Sequence, residues 1–368
     1  MKKSVSLILC LVLLISCAFA QSIDGQTCCE ELASLLDSAP EKLLQAKTLV
    51  AGDSISDWTA LIAARNGYNE NANAYLQDLW DYVSQKYQEQ GGLDTIQATV
   101  WHRISLTVLA LGADPTCFGE DAQGDPIDLI ADGTYHWSTT DSLGIQGTNA
   151  WIYALLVLDA GNYEVPEDGL YTRETIIEAI LNAQLEDGGF HFANGASEVD
   201  MTAMALQALA PYADTNEAVK QSVEQALEYL SAIQNAQGDF GSGGSESCSQ
   251  VILALCALGI DPETDPRFTK AGGTALNGLL LYHVSGGGFS HLLGDDADTL
   301  ATVQAAQALT ALDRLRAGEG RLYDFTDLQI EAYVPQADLP IGLICAAALA
   351  AAAIIIVCIW KGKKACTR

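Results

Sequence analysis

The chain has 368 residues, of which 49% are hydrophobic, and a formal net charge of −29 at pH 7. Residues 1–20 and residues 339–368 contain no acidic residue. All 47 acids but only 12 of the 18 basic residues therefore lie between them, giving this middle part a net charge of about −35. Such a charge excludes a nucleic-acid partner, because binding a phosphate backbone requires a basic surface.

The first 20 residues are typical of a secretory signal peptide. Lys2 and Lys3 precede a short apolar run, and Ala18-Phe19-Ala20 provides an A-x-A cleavage site. The stretch Leu14-Ile15-Ser16-Cys17 also fits a lipoprotein box, in which Cys17 would be acylated and would begin the mature chain. Both processing routes stay open.

Residues 21–316 predict one extracellular helical repeat domain, in which two kinds of helix alternate. Amphipathic helices with one apolar face cover a core from outside, whereas helices that are apolar all round must be covered on both sides. Six helices of the second kind are predicted near residues 55–66, 95–111, 143–160, 199–212, 247–259 and 298–313. Each follows an amphipathic partner, near residues 29–50, 70–89, 126–132, 172–185, 216–235 and 267–284, of which the third is short.

A glycine turn closed by phenylalanine recurs at a fixed interval. Phe190, Phe240 and Phe289 are separated by 50 and 49 residues, and each precedes an apolar helix. Fixed spacing of this size indicates stacked helical hairpins. Six hairpins predict an all-α fold, an α/α toroid closed into a ring; an open solenoid, which would need polar caps, is the alternative.

The end of the chain predicts a membrane anchor. Residues 317–338 hold glycines, a proline and acids, and indicate an edge segment and stalk. Residues 339–360 carry no charge and suffice to span a bilayer as one helix, although a buried core helix is the alternative. The basic tail 361–368 should then lie in the cytoplasm. The sequence thus predicts a single-pass cell-membrane protein with its N-terminal domain outside.

Five cysteines lie in the predicted extracellular part. An odd number cannot pair completely within one chain. Cys248 and Cys256 lie roughly 12 Å apart along one helix and cannot bridge each other. At most two disulfides can form, and the sequence assigns none among Cys28, Cys29, Cys117, Cys248 and Cys256.

The Gly-Gly-Phe turns followed by T-A-x-A-L-Q-A-L resemble the superfamily of terpene cyclases, protein prenyltransferase β-subunits and transcobalamin-type vitamin B12 carriers. SCSQVILALCALGIDPETDPRF and LLLYHVSGGGFSH are similar to bacterial surface proteins with prenyltransferase-like or squalene-cyclase-like repeats. The resemblance implies a toroid; it does not fix an activity.

The enzyme motifs that this resemblance implies are incomplete. Cyclases of the family use an Asp-rich acid motif, and Asp295-Asp296-Ala297-Asp298 is acidic but does not match it. Prenyltransferases hold zinc with Asp-x-Cys and a later His; here Glu246-Ser247-Cys248 has no such histidine one repeat later. The B12 carriers add a β-rich domain, which a partner chain would have to supply here.

The sequence leaves three functional hypotheses open. The first is a membrane-anchored extracellular binding module, whose ligand is a small molecule, with cobalamin as a candidate, or a surface protein. The second is a terpenoid cyclase-like or prenyltransferase-like enzyme acting on an isoprenoid, for which the acid would be Asp298. The third is a surface scaffold. The predicted ligand site is the rim of the ring, with Tyr135, His136, Trp137, Phe192, Glu198, Asp200, Glu246 and Asp298, although each of these also has a structural interpretation as a helix cap or aromatic plug. No metal and no catalytic residue is assigned.

Overall fold

The structure, a computed structural model, describes residues 23–241 and 244–336. The chain divides into two units, Met1–Tyr333 and Val334–Arg368, and all the described helices and strands belong to the first. The predicted signal peptide, membrane anchor and basic tail lie outside the described residues. Within the described ranges, no helix is both long and apolar enough to cross a bilayer.

Twelve α-helices are present in the described part of the first unit. In chain order they are α1 (Gly25–Leu35), α2 (Ser54–Arg65), α3 (Ala72–Gln90), α4 (Thr99–Ala110), α5 (Leu129–Gly133), α6 (Thr148–Ala160), α7 (Arg173–Leu181), α8 (Val199–Leu209), α9 (Glu217–Ile233), α10 (Ser245–Ala257), α11 (Ala275–Leu280) and α12 (Thr299–Ala317). Two short antiparallel hairpins join them, β1 (Thr269–Lys270) with β2 (Gly273–Thr274) and β3 (Phe289–Ser290) with β4 (Ala297–Asp298).

The even-numbered helices form an inner ring. Each packs against the next, from α2 through α4, α6, α8 and α10 to α12, and α12 packs against α2. Small side chains such as Ala203, Ala205 and Ala305 are fully buried and allow these helices to approach closely. The six predicted inner helices and the closed ring are therefore confirmed.

The odd-numbered helices form the outer layer. In α9, Val223 and Leu227 are buried while Glu224 and Glu228 face solvent, as an apolar stripe on one face requires. The third outer helix, α5, is only five residues long, in agreement with the weak pattern at 126–132. α1 packs against α12, the last inner helix, so the two ends of the repeat array meet.

The repeated turn anchors each outer helix to the following inner one. The rings of Phe190 and Phe289 are fully buried, and Phe240 is nearly so. The backbone N–H groups of Phe190 and Phe289 donate to the hydroxyl oxygens of Thr202 and Thr302, at 2.9 Å in each case. These aromatic rings therefore fill the space between adjacent hairpins, and they are here called plugs.

The C-terminal segment 319–333, here called the strap, belongs to the toroid. Leu322, Tyr323 and Phe325 are buried, and the N–H of Phe325 donates to the carbonyl of Ala160 at the end of α6. Arg65 Nε donates to the carbonyl of Leu322 at 2.9 Å. The strap thus corresponds to the edge segment predicted at the start of residues 317–338, because apolar side chains hold it against the ring.

All five cysteines of the described residues are free thiols. Cys28, Cys29, Cys248 and Cys256 are buried, and burial raises the pKa of each thiol, that of Cys256 to about 12. Thiols with raised pKa values are poor nucleophiles. We interpret these four side chains as core residues.

Candidate functional site

The inner helices begin at one end of the ring, here called the mouth, where a cavity of about 160 Å³ enters the lumen. Residues four apart share a helix face. The cavity is lined by such pairs from three successive inner helices: Ser54 and Trp58, Thr99 and Arg103, Asn149 and Tyr153. The first member of each pair lies in the first turn of its helix, so polar groups ring the opening and larger side chains lie below.

Aromatic rings form the wall below the mouth. The ring centroids of Trp58 and Tyr153 are 6.1 Å apart, and those of Trp58 and Tyr323 are 6.2 Å apart. Burial, together with the nearby charge of Asp200, raises the pKa of Tyr153 to about 12. Burial, with Tyr153 next, also raises the pKa of Tyr323. The strap thus supplies the third aromatic of a cluster inside the ring.

A buried ion pair holds Arg103 at the cavity wall. Its Nε donates to Asp57 Oδ2 at 2.9 Å, and its Nη2 donates to the carbonyl of Gly52 at 2.8 Å. Asp57 is fully buried and also accepts from the Tyr75 hydroxyl at 2.8 Å. Burial raises the pKa of Asp57, and the charge of Arg103 opposes that shift. The pair therefore fixes Arg103 in place, and no described residue accepts a hydrogen bond from its Nη1.

Asp200 is the acid best placed to act in the lumen. It lies in the first turn of α8, across from Tyr153, and accepts a 2.6 Å hydrogen bond from Ser247 Oγ on its Oδ1 atom. Burial raises the pKa of Asp200; the charges of Glu246 and Glu198 add to that rise, while the Ser247 hydrogen bond opposes it. No described residue hydrogen-bonds to Oδ2, so that oxygen is available to a ligand.

Glu246 and His291 form a pair beside Asp200. Both carboxylate oxygens of Glu246 lie 2.9 Å from His291 Nδ1. The Glu246 hydrogen bond raises the pKa of His291, whose side chain is about half exposed. The pair thus places a fixed negative group next to Asp200, which explains part of the raised pKa of that carboxyl.

The far side of the lumen is lined by amides. Gln207 Nε2 donates to Gln250 Oε1 at 2.9 Å, and Gln250 Nε2 donates to Gln304 Oε1 at 3.0 Å. These residues come from α8, α10 and α12, so a series of side-chain hydrogen bonds connects these three inner helices. The lumen therefore has an aromatic side and an amide side.

Five of the eight residues predicted at the rim do lie at the mouth. Glu198, Asp200, Glu246 and Asp298 stand at the starts of α8, α10 and α12. Phe192 is partly exposed, and its carbonyl accepts a 2.7 Å hydrogen bond from Thr148, the first residue of α6. Asp298 is exposed and caps α12, since its Oδ1 accepts from the Ala301 N–H at 2.9 Å. The structure therefore favours Asp200 over Asp298 as an acid.

The prediction that Tyr135, His136 and Trp137 lie at the rim is wrong. Tyr135 and His136 line a separate cavity of about 350 Å³, together with residues of α3 and α5. Trp137 is buried and packs edge-on against Trp101 at 5.3 Å, so it is the aromatic plug of its own repeat. The reason is that these residues follow α5, a short outer helix, and the chain needs ten further residues to reach α6.

Sequence reasoning missed the residues that line the lumen. They are Trp58, Arg103, Asn149, Tyr153 and Tyr323. The first four could have been found from the sequence, because each lies in the first or second turn of a predicted inner helix. Tyr323 carried no such signal, since only the path of the strap brings it to the ring.

The residues present do not fit the zinc site of the protein prenyltransferases. Cys248 Sγ lies 3.2 Å from Asp239 Oδ1 inside the protein, whereas Glu246 is turned to His291 at the mouth. Among the described residues, no group of three or more His, Cys, Asp or Glu side chains could hold a metal ion. The glutamate and the cysteine thus face different neighbours although they are two residues apart.

Comparison with known proteins agrees with the architecture. Residues 136–275 match the prenyltransferase alpha-alpha toroid domain family. Drimenyl diphosphate synthase from Streptomyces showdoensis is 26% identical over 275 residues, which are 72% of this chain and 50% of that protein. Drimenyl diphosphate synthase from Streptantibioticus cattleyicolor is 33% identical over 156 residues, which are 39% of this chain and 28% of that protein. The chain spans about half the length, or less, of these relatives.

A solved structure shows the same fold. Candida albicans protein geranylgeranyltransferase-I complexed with GGPP superposes with a TM-score of 0.51 and 11% identity, over 83% of this chain and 99% of that chain. Fold and sequence together define an α/α-toroid protein. The family match over residues 136–275 and the similarity to the drimenyl diphosphate synthases support a relationship to the terpenoid cyclase and protein prenyltransferase superfamily.

Proposed function

We propose that this toroid is the catalytic part of a terpenoid cyclase-like enzyme, in which the lumen holds an isoprenoid and Asp200 is the general acid. The observation that carries the proposal is the position of Asp200, a half-buried carboxyl of raised pKa in the first turn of α8, close enough to Tyr153 that its charge raises the pKa of that tyrosine. A raised pKa increases the fraction of the carboxyl that carries a proton, as a general acid requires. The similarity to two drimenyl diphosphate synthases also supports it.

The proposed step is protonation of a carbon–carbon double bond. The π electron pair takes the proton from Asp200 Oδ2, a C–H bond forms, and the positive charge is left on the neighbouring carbon. The faces of Trp58 and Tyr153 attract a cation at that place. The cation then closes a ring with a second double bond and loses a proton, so that the product is an isomer of the substrate. Ser247 holds Oδ1 and so orients the acid.

Replacement of Asp200 tests this proposal. We expect the protein to convert farnesyl diphosphate, geranylgeranyl diphosphate or squalene to a cyclic isomer, detected by gas chromatography and mass spectrometry. Asp200→Asn should lower the rate by roughly 100-fold or more, because loss of a general acid costs about that much. For the wild type, the rate should fall as the pH rises through the raised pKa of Asp200, since the acid loses its proton there.

The matched control is Asp298→Asn, the same change at the start of α12. Asparagine also caps a helix, so this variant should keep both its rate and its stability. Recovery of intact substrate alone from the wild type would remove the cyclase proposal. An equal loss of activity in both variants would contradict the assignment of Asp200 as the general acid.

Recognition without turnover is the second candidate, and the polar residues around the cavity at the mouth favour it. A cavity of about 160 Å³ with polar groups around its opening suits capture of one end of a small molecule. A corrinoid is too large for this space and would have to lie across the mouth against Phe192 and Glu198. Titration with cobalamin, followed by visible absorbance and by heat, decides whether it binds; no change in either would eliminate this ligand.

We further propose that the toroid is displayed outside the cell on the anchor predicted at 339–360, where a protein partner, including a β-rich chain, could reach it. The acidic composition is the supporting observation. Protease treatment of intact cells should release the toroid domain, while a cytoplasmic control protein stays uncut. A toroid protected until the cells are lysed would contradict this location.

A further inference from the structure

Two cavities of the described part of the chain lie along the lumen, and the side chain of Tyr323 links their walls. The larger cavity, of about 160 Å³, lies toward the mouth and includes Trp58 and Tyr153. A smaller one, of about 30 Å³, lies toward the other end, among Leu156, Leu253 and Tyr323. Tyr323 lines the smaller cavity, and its ring packs against Trp58 of the larger one. The Tyr323 ring therefore lies between the smaller cavity and Trp58 in the wall of the larger one, and it is here called the partition.

The partition is not part of the helical repeats. Tyr323 belongs to the strap, which reaches the lumen from below and is held there by Arg65 and by the buried ring of Phe325. No described residue hydrogen-bonds to the Tyr323 hydroxyl, so the ring is placed by packing alone. Because Tyr323 is held by packing and lies outside the repeats, its side chain can be replaced without changing the ring of helices.

The walls beyond the partition are suited to an apolar chain. Leu156, Leu253, Ala257 and Pro211 give the lower cavity a largely apolar wall, whereas Gln207, Asp159 and Arg321 form its polar part. A ligand that enters at the mouth with its polar end near Arg103 and Asn149 would extend its apolar end toward Tyr323. The depth available to that end is the distance to the tyrosine ring.

We infer that Tyr323 determines the length of the hydrocarbon chain that the lumen accepts. The inference rests on the proposed function in that it concerns the same lumen and an isoprenoid-like ligand. Removal of the ring should join the two cavities into one channel and admit longer chains. The residue is thus a specificity determinant that acts by steric exclusion, and it has no part in the chemistry.

Binding of straight-chain primary alcohols tests this inference without requiring turnover. In calorimetric titrations of the wild-type protein with butanol, hexanol, octanol, decanol and dodecanol, affinity should rise roughly fourfold for each added methylene while the chain is being buried. The rise should stop at the length at which the chain meets Tyr323. In Tyr323→Ala, the break should move to a longer alcohol.

Two controls separate the ring from its surroundings. Tyr323→Phe keeps the ring and should keep the wild-type break. Tyr333→Ala removes a tyrosine of the same strap that packs on Phe118 outside the lumen, and it should keep the break as well. If Tyr323→Ala does not fold, as judged by circular dichroism, Tyr323→Leu also opens space beside Trp58 and should move the break in the same direction.

An unchanged break in the folded Tyr323 variant overturns the inference. Absence of measurable binding in both proteins overturns it too, because the lumen would then not be an apolar channel. The proposed function fails separately, by lack of isoprenoid turnover in the wild type. A shifted break with no turnover would uphold the role of Tyr323 and reject only the cyclase activity.

Discussion

At the scale of single residues, buried ionisable groups of this chain differ in how many partners they have. Asp57 is fully buried and is satisfied by Arg103, Tyr75 and Gly52, so it supports structure. Among the described residues, Asp200 has a hydrogen-bond partner on one oxygen only, and its charge acts on Tyr153 in the cavity wall. Both carboxyls have raised pKa values because of burial, so the pKa alone does not distinguish them. The two carboxyls are distinguished by their hydrogen bonds, because Asp200 Oδ2 has no partner among the described residues.

His102 allows a prediction on the pH dependence of stability. It is fully buried, its Nε2 lies 2.6 Å from the carbonyl of Gly133, and its Nδ1 has no partner. Burial lowers its pKa from 6.5 to about 4. The unfolded chain therefore takes up a proton between these values while the folded protein does not. The stabilisation is fully present above pH 6.5 and is lost as the pH falls, by about 3 kcal/mol in total.

Urea unfolding at several pH values checks this prediction. His102→Gln should give a flatter curve of unfolding free energy against pH between about 6.5 and 4, because glutamine does not titrate there. Other groups titrate equally in both proteins, so the difference between the two curves is the informative quantity. Parallel curves would mean that His102 becomes protonated in the folded state.

At the scale of the elements, one turn design is used repeatedly. Phe190, Phe240 and Phe289 are buried plugs, and Trp137 takes the same place in an earlier repeat. In two repeats the N–H of the plug donates to a threonine of the following inner helix, Thr202 or Thr302. In the Phe240 repeat, Cys248 takes the place of that threonine, and the Phe240 backbone hydrogen-bonds to its thiol. Repetition of the turn explains why the fold was predictable, since each copy adds the same local signal.

The prediction at the scale of the elements concerns replacement of Gly238 in the repeated turn. Its φ is +95°, and a β-carbon added there would overlap the carbonyl of Thr274. Gly238→Ala should lower the free energy of unfolding by about 3 kcal/mol or more, from backbone strain and overpacking together. Gly124 has a φ of +83° with open space around it. Gly124→Ala should therefore cost only about 1 kcal/mol, for the strain alone.

Chemical denaturation of both variants measures these two costs. The pair shares the backbone effect and differs in the contact with Thr274, so the difference between them reports the close approach of the turn to the next hairpin. Equal costs for Gly238→Ala and Gly124→Ala would show that the turn can move away from Thr274.

At the scale of the whole toroid, the first and last described helices close the ring. α1 packs on α12, and the N–H of Gly25 donates to Asp313 Oδ2 at 2.8 Å. Glu31 of α1 accepts from the Gly288 N–H at 2.8 Å, at the last repeated turn. The strap lies at the end of the lumen opposite the mouth, where Arg321, Leu322 and Tyr323 line the smaller cavity.

Arg65 and Arg314 both hold the strap, and removal of Arg65 is the prediction for this scale. The side chain is almost fully buried; it donates to the carbonyl of Leu322, pairs with Asp327 and covers the ring of Phe325 at 4.4 Å. Arg65→Met should lower the free energy of unfolding by about 3 kcal/mol, because buried acceptors lose their donor. Amide hydrogen exchange should accelerate in residues 319–333.

The matched control is Arg316→Met, which removes a more exposed arginine paired with Asp261 and Glu263. Exposed pairs contribute little, so its cost should stay below about 1 kcal/mol and exchange in the strap should not change. Slow exchange across the strap in Arg65→Met would mean that packing of Phe325 and Leu322 is sufficient to hold it.

The sequence by itself determined the architecture of this protein. Apolar helices that must be covered on both sides, half-apolar helices and buried plugs at a nearly constant spacing allow few arrangements, and the ring of six hairpins is one of them. It also placed the carboxyls Asp200 and Glu246 at the mouth, because the starts of parallel inner helices share one end of the ring.

The tertiary structure alone decided which side chains share the lumen. Trp58 and Tyr323 are 265 positions apart in the chain, and no local pattern joins them. Tyr135 and His136 resemble rim residues in sequence, yet the short helix α5 leaves them on the outer side. Local periodicity reports which face of a helix is buried. It does not report which distant segment fills the space that the helices enclose, and in this toroid that segment is the strap.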